Sequence, residues 1–118
     1  MNAYEIPGLR FSIPAGAAIA RRRFVSVNAN GQAIQANAST PVIGASMNEV
    51  TNSEGLPATK QIAEIADGIV IVEAAGTVAA GAAVASDANG KATTASGDAI
   101  GVAITAGAAG GLMSVKLI

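Results

Sequence analysis

The residue types that most often carry catalysis are missing from this 118-residue chain, which contains neither histidine nor cysteine. The commonest general base and the strongest side-chain nucleophile are therefore unavailable, and so are the usual ligands of zinc. The eight acidic side chains are spread along the sequence, and no two have a spacing typical of paired acid–base work. The sequence predicts a protein that is not an enzyme and that uses no cofactor.

Two short patterns resemble ligand sites only superficially. Asp87, Asn89 and Asp98 carry oxygen atoms that could surround calcium, but the EF-hand spacing is absent, and turn positions suit these residues better. Residues 85–93 (ASDANGKAT) share a Gly-Lys pair with phosphate-binding loops but depart from that motif at two positions. Ala85 stands where that loop needs glycine, and Ala92 stands where it needs Ser or Thr. We expect plain turns and no metal site.

Arg21, Arg22 and Arg23 form the one charge cluster of the sequence. Arginine forks match phosphate geometry, but a nucleic-acid binder normally adds further basic residues on the same face. The other four basic residues are dispersed, and the net charge is −1. Contact with acidic groups on a protein partner and a simply solvated loop both remain open, and we expect no nucleic-acid partner.

The composition points to a thin core and a partly covered surface. Hydrophobic residues make up 51% of the chain, yet only 3% is aromatic, and many of the rest are alanines. Charged residues make up 13%, against about 25% in ordinary soluble domains. The most apolar stretch, residues 69–85, contains Glu73 and two glycines, so we expect no membrane span. Low charge instead favours a surface that other proteins cover.

Alternation of apolar with small or polar residues predicts strands at residues 24–27, 69–73, 99–105 and 112–118. Asn30-Gly31, Asp67-Gly68 and Asn89-Gly90 are typical of tight hairpin turns. Residues 59–66 could form a helix, but they also alternate, and glycines interrupt the alanine-rich segments too often for helices. The polar residues 51–59 predict a surface loop. An all-β fold follows.

Three phrases recur in the same order along the chain. Residues 15–20 (AGAAIA) match 80–85 (AGAAVA), 29–33 (ANGQA) match 88–92 (ANGKA), and 42–46 (VIGAS) resemble 99–103 (AIGVA). Each copy predicts a strand, a tight hairpin, a second strand and a glycine-containing strand. Two similar β-hairpin units could close into a small β-barrel or β-sandwich, which shortens exposed sheet edges.

Residues 1–14 differ from the rest of the chain because they concentrate large side chains between prolines. We therefore divide the chain into an extended N-terminal arm, residues 1–14, and a single β domain, residues 15–118. Such an arm can add to a neighbour's sheet edge or fill its pockets, and it can equally form a first strand on its own domain. The predicted interface with a protein partner or a neighbouring subunit comprises Tyr4, Ile6, Leu9, Arg10, Phe11, Ile13, Arg21, Arg22 and Arg23.

Residues 76–84 (GTVAAGAAV), 87–92 (DANGKA) and 99–103 (AIGVA) resemble the head decoration, or capsid cement, proteins of tailed bacteriophages. The resemblance covers roughly residues 15–118 and rests on short phrases. It implies a compact β fold, a homo-oligomer with a trimer favoured, and the major capsid protein as partner. It further implies a place on the outer surface of the capsid, reached from the host cytoplasm, where the protein stabilises contacts between capsid subunits. The resemblance supplies no catalytic residue.

Two other classes remain as alternatives. An extracellular or carbohydrate-binding β-module would need exposed aromatic platforms, but the chain has no Trp and only one Tyr, Tyr4. An accessory barrel of an enzyme would also fit the strand pattern. Neither class explains the low charge and the missing reactive side chains as directly as a structural virion protein does.

Overall fold

The computed structural model describes residues 6–118, and their side chains from Gly8 onward. One antiparallel sheet holds the nine strands found in this part of the chain, and it curls into an open half-barrel. The strands are β1 (Ile6–Pro14), β2 (Phe24–Val27), β3 (Ala33–Gln35), β4 (Gly44–Ser46), β5 (Ile62–Glu73), β6 (Ala83–Ser86), β7 (Ala92–Thr94), β8 (Gly101–Ala103) and β9 (Leu112–Leu117). A single 3₁₀ turn, Ala58–Lys60, precedes β5. The prediction of a small all-β fold is confirmed.

The strand order is β3-β2-β4-β5-β9-β8-β6-β7, with β1 paired to β5. The long strand β5 is the centre of this arrangement. Its first part pairs with β1 and β4, and its last part, from Ile69 to Glu73, pairs with β9. We call β1–β4 with residues 62–67 unit A, and residues 69–73 with β6–β9 unit B. One strand therefore ends unit A and begins unit B.

The two units repeat each other pair by pair. In unit A, Ala15 bridges Ala33 in parallel and Ile19 bridges Val50; in unit B, Ala74 bridges Ala92 and Val78 bridges Gly107. The hairpins agree as well. The Asn28 side-chain oxygen accepts two backbone N–H bonds within its turn, and Asp87 does the same in unit B. The interpretation as two similar hairpin units is confirmed.

One phrase of the sequence repeat is aligned differently by the structure. Residues 15–20 resemble residues 80–85, but the parallel bridges make Ala74 the counterpart of Ala15. Residues 74–79 (AAGTVA) therefore occupy the place of residues 15–20 (AGAAIA). Alanine and glycine recur so often here that a shifted match looks better in the sequence than the true one. The other two phrases match as aligned.

Asp67-Gly68 does not form the predicted hairpin turn; it lies inside β5. Gly68 has a φ of 113°, a conformation that favours glycine, and the Asp67 carboxylate accepts the Gly68 N–H at 2.8 Å. Opposite this point β1 carries a register shift between Pro7 and Leu9. The dipeptide marks the passage of β5 from unit A to unit B. The predicted turns at Asn30-Gly31 and Asn89-Gly90 are observed, with φ of 74° and 76° at their glycines.

Glycines set how closely neighbouring strands approach in both units. A Cβ at Gly44 would lie 2.5 Å from the Ala66 carbonyl oxygen, and one at Gly101 would lie 2.5 Å from the Lys116 carbonyl oxygen. Only a residue without a side chain fits at either position. In β8 the small residues Gly101 and Ala103 therefore face inward, and Val102 points outward.

Two clusters of buried side chains correspond to the two units. The cluster of unit A is formed by alanines, valines and isoleucines, including Ile19, Val25 and Ile65, with Phe11 and Ile13 packed against it. The cluster of unit B is built around Val70, Val84, Met113 and Val115, but it also takes in residues of unit A. The additional members from unit A are Phe24, Ala36, Ala45 and Ala66. The larger cluster thus joins the two units.

Candidate protein-contact surface

Strand β1 contains five of the predicted interface residues, Ile6, Leu9, Arg10, Phe11 and Ile13. Its partner is the first part of β5, and the register runs from Ile6 opposite Ile69 to Pro14 opposite Ile62. Phe11 and Ile13 are half-buried and pack on the core of unit A. Leu9 and Arg10 are both exposed, and a register shift lies just before them, between Pro7 and Leu9. Leu9 and Arg10 can therefore contact a partner, and the side chains of Phe11 and Ile13 hold the strand in place.

The remaining N-terminal residues of the predicted interface are less completely described. Tyr4 lies outside the described residues. Ile6 is the first residue of β1, and only its backbone pairing with Ile69 is described. Of the segment 1–14, the part from Ile6 onward thus lies in the sheet of unit A.

A shallow recess of about 190 Å³ lies beside the exposed part of β1. Its walls are formed by Arg10, Phe11, Ser12, Met47, Glu64 and Ile65. Glu64 and Arg10 bring opposite charges to its rim, and Phe11 and Ile65 supply apolar walls. A recess of this size suits one inserted side chain of a partner rather than a small-molecule ligand, whose pockets usually hold about 300–1,000 Å³.

The structure assigns three different environments to Arg21, Arg22 and Arg23. Arg21 is exposed, and its Nε donates to the Met47 carbonyl oxygen at 3.2 Å. Arg22 has a φ of 62°, which is unusual for a residue with a side chain. Its counterpart in unit B is Gly81, because both residues donate their backbone N–H to the last residue of the matching strand, Ser46 or Ala103. Arg21 is exposed and Arg22 is half-buried, and both stay predicted contact residues.

Arg23 connects the two units. Its Nη2 donates to Glu73 Oε1 at 3.3 Å, and its Nη1 donates to the Asn89 carbonyl oxygen at 3.2 Å. Lys91 Nζ lies 3.0 Å from Glu73 Oε2. We call Arg23, Glu73 and Lys91 the ion clamp. The side chains of Arg23 and Glu73 are only 16% and 25% exposed, so water screens this interaction less than a fully exposed pair.

The ion clamp lowers the pKa of Glu73 below its ordinary value of 4.5. The hydrogen bond from Lys91 is the largest cause, and the charge and hydrogen bond of Arg23 act in the same direction against the effect of burial. Both cations favour the ionised carboxylate. The folded protein therefore binds the Glu73 proton less tightly than the unfolded chain does.

We predict that the clamp makes the protein less stable in acid. Above about pH 4.5 Glu73 is ionised in both states and its contribution is complete; it is lost as the pH falls through the lowered pKa of the folded state. Glu73→Gln should reduce the free energy of unfolding at pH 7 by about 1 kcal/mol and flatten its fall between pH 6 and pH 3. Urea unfolding across this range measures the effect, with Glu49→Gln at an exposed site as the control. A Glu73→Gln profile parallel to that of the original protein would contradict the prediction.

The sequence prediction missed other exposed apolar side chains. Ile62 of β5, which pairs with Pro14 of β1, is 51% exposed. Its counterpart in unit B is Leu112 of β9, which pairs with Glu73 and is 53% exposed. Leu56, in the surface loop before β5, is also exposed. Alternation in β9 could have identified Leu112, since Met113, Val115 and Leu117 take the inward positions. Ile62 lies on the face of this strand pair that carries Arg10, and Leu9 lies on the other face.

Within residues 6–118 there is no group of three or more acidic residues placed to hold a metal ion. Asp87, considered above as a calcium ligand, uses its carboxylate to accept the N–H groups of Asn89 and Lys91 in the hairpin turn. No helix in the same part of the chain is long and apolar enough to cross a membrane.

The small all-β fold is one that phage head proteins use. A solved structure, the N base of head fiber gp8.5 of bacteriophage phi29, superposes on 93% of this chain and on 93% of its own chain, with a TM-score of 0.73. The two sequences are 13% identical over this match, so the likeness lies in the fold. No protein-family model matches the sequence, and no curated protein sequence matches it.

Proposed function

We propose that this chain is a structural virion protein of a tailed bacteriophage, which binds the outer surface of the capsid and stabilises contacts between major capsid subunits. The observation that carries the proposal is the fold shared with a phage head fiber base over 93% of both chains. The sequence supports it independently, because phrases of the second repeat resemble head decoration proteins. On this proposal the protein assembles onto the head from the host cytoplasm.

The exposed surface of β1 and β5 supports a role in protein contact. Leu9 is 58% exposed near one end of this strand pair, and Ile62 is 51% exposed near the other end, on the face that carries Arg10. Arginine and large apolar side chains are typical of residues that dominate binding energy when a partner excludes water from them. We propose this surface, with Arg21 and Arg22 as further candidates, as the contact with the major capsid protein.

On this proposal the protein acts without catalysis, without a cofactor and without contact with nucleic acid or a membrane. It acts as a homo-oligomer, with a trimer favoured. Several identical surfaces on one closed oligomer bind neighbouring subunits together, so modest individual contacts add up to firm attachment. The carbohydrate-binding alternative gains no support from Phe24, which is buried, or from Phe11, which packs on the core.

We predict that the purified chain co-sediments with heads assembled from the major capsid protein of the same genome. Leu9→Asp with Arg10→Glu should weaken this binding at least about tenfold. The double change removes an apolar side chain that the capsid would bury and reverses a charge, and together these losses cost more than about 1.4 kcal/mol of binding free energy. Both side chains are exposed, so the free energy of unfolding should change by less than about 0.5 kcal/mol.

Leu56→Asp with Lys60→Glu is the matched control, since it changes an exposed Leu and an exposed basic residue next to β5. Failure of the unaltered chain to co-sediment with heads would reject the proposed function. Equal binding by the β1 variant and the control would instead reject β1 as the contact surface. Deleting residues 2–13 is a poor substitute, since it removes most of a strand that pairs with β5.

A further inference from the structure

Unit A has an outer face that unit B covers. Phe24, Ala45 and Ala66 lie side by side across three strands, since Phe24 pairs with Ala45 and Ala45 pairs with Ala66. All three are buried, and they belong to the cluster that contains the core of unit B. Gly90 of unit B accepts the Phe24 N–H at 2.8 Å. We call these three residues the covered face.

Unit B has the same face, and nothing within residues 6–118 covers it. Its residues are Ala83, Val102 and Lys116, which pair across β6, β8 and β9 as the covered face pairs across β2, β4 and β5. All three are exposed, Val102 to 40%. Ile118, 87% exposed, follows directly on β9 and donates its N–H to Ile100. We call Ala83, Val102 and Lys116 the open face.

We propose that unit A of a second copy of this chain covers the open face, in the way that unit B covers unit A within one chain. The structure shows what part of a unit makes this contact. Unit B uses the tip of its hairpin, at Gly90, and the end of its first strand, at Glu73. The counterparts in unit A are Gly31 and Pro14, which are exposed. The inference rests on the proposed homo-oligomer and identifies its surface.

The bare hairpin tip of unit A fits this role. A Cβ at Gly90 would lie 3.1 Å from the Phe24 carbonyl oxygen, because the hairpin approaches the covered face closely. Gly31 has the same left-handed backbone, with φ of 74°, but no atom lies within 4 Å of its Cβ position. The outer side of the unit A hairpin is therefore accessible to a second copy of the chain.

The contact between copies has no counterpart of the ion clamp. Arg23, Glu73 and Lys91 join the units within one chain. Their counterparts are neutral: Ala82 on the side of the open face, and Pro14 and Gln32 on the side of unit A. The open face itself carries the charge of Lys116, whose long stem lets the ammonium group reach water at the edge of the contact. A contact weaker than the one within the chain results.

The contact joins two different surfaces, so it is heterologous and forms a closed ring when the rotation between copies closes. A trimer closed in this way presents its units A and B alternately around the ring. Every open face in such a ring is covered. This agrees with the trimer that we favour.

The first test replaces Val102, which is exposed and can change without loss of the core. Val102→Asp should raise the dissociation constant for self-association at least about tenfold, measured by sedimentation equilibrium, because a carboxylate that needs water replaces the apolar side chain at the centre of the open face. Leu56→Asp, in an exposed loop, is the control and should associate like the original protein. Unchanged association of Val102→Asp, or an original protein that stays monomeric at about 100 μM, overturns the inference.

The second test transplants the ion clamp to the proposed contact. One batch of protein carries Ala82→Arg, and the other carries Pro14→Glu with Gln32→Lys. An equimolar mixture should associate more tightly than either batch alone, by about two- to tenfold, since the matching charges meet only between different copies. No gain on mixing overturns the head-to-tail arrangement.

Binding to heads separates this inference from the proposed function. If Val102→Asp associates normally but no longer binds heads, the open face contacts the capsid, and the inference is wrong although the proposed function stands. If the original protein associates through the open face but does not bind heads, the inference stands and the proposed function fails.

Discussion

Phe24→Ala should lower the free energy of unfolding by about 3–5 kcal/mol, the usual range for removing a fully buried phenylalanine. Phe24 is 0% exposed and is the largest of the fully buried side chains. It lies in the cluster that joins the two units, and six members of this cluster are alanines. Such small neighbours fill the vacated volume poorly. Because domains are stable by only about 5–15 kcal/mol, this one change should remove a large share of the total.

Urea unfolding at pH 7 measures this loss, with Leu112→Ala as the control. Leu112 is 53% exposed, and its replacement should change the free energy of unfolding by less than about 0.5 kcal/mol. A loss below about 1 kcal/mol for Phe24→Ala would show that the covered face is not packed as the structure describes.

The second large effect concerns two neighbouring positions in each unit. Where one unit has the larger side chain at a position, the other unit has the smaller one. Unit A has Val50 and Ala63 where unit B has Gly107 and Met113, as their bridges and register show. A Cβ at Gly107 would lie 2.6 Å from the Met113 sulfur. The methionine of unit B thus occupies the space that the valine side chain takes in unit A.

Gly107→Val should cost about 1–3 kcal/mol through overpacking, and Met113→Ala about 2–5 kcal/mol through the cavity it leaves. The double variant reproduces the pair found in unit A, so its cost should be smaller than the sum by about 1–3 kcal/mol. Ala74, 2.9 Å from the Gly107 Cβ position, keeps the recovery incomplete. A double-mutant cycle by urea unfolding measures the coupling. Simple additivity of the two costs would contradict the equivalence of the units.

The sequence was informative where local rules act alone. Alternation in residues 112–118 predicts the inward side of β9 correctly, since Met113, Val115 and Leu117 are buried. Asn30-Gly31 and Asn89-Gly90 form the hairpins predicted for them, because few residues other than glycine adopt the positive φ of such turns readily. The repeated phrases predicted two similar units, and this is the architecture observed.

The boundary between the units could not be read from the sequence. Asp67-Gly68 has the composition of a turn, but β5 continues through it. What decides between a turn and a continuous strand is the pairing on both sides, with β1 before the glycine and β9 after it. Those partners come from opposite ends of the chain, so no local pattern contains the information.

The candidate surface was predictable in part. Concentration of large side chains before residue 14 identified Leu9 and Arg10, which are exposed on β1. The sequence could not separate them from Phe11 and Ile13, because burial along β1 depends on residues elsewhere in the chain that pack against it. Arg23 was grouped with its neighbours for the same reason. Its acceptor Glu73 lies 50 residues away along the chain, and only the fold brings the two together.

The most direct test of the central proposal is a comparison of phage heads with and without this chain by electron cryomicroscopy. We predict additional density on the outer surface, at junctions between major capsid subunits, with lobes that accommodate the 41 × 27 × 25 Å extents of each copy. Heads whose outer surface is identical in the presence and absence of the protein, at saturating concentration, would contradict the account.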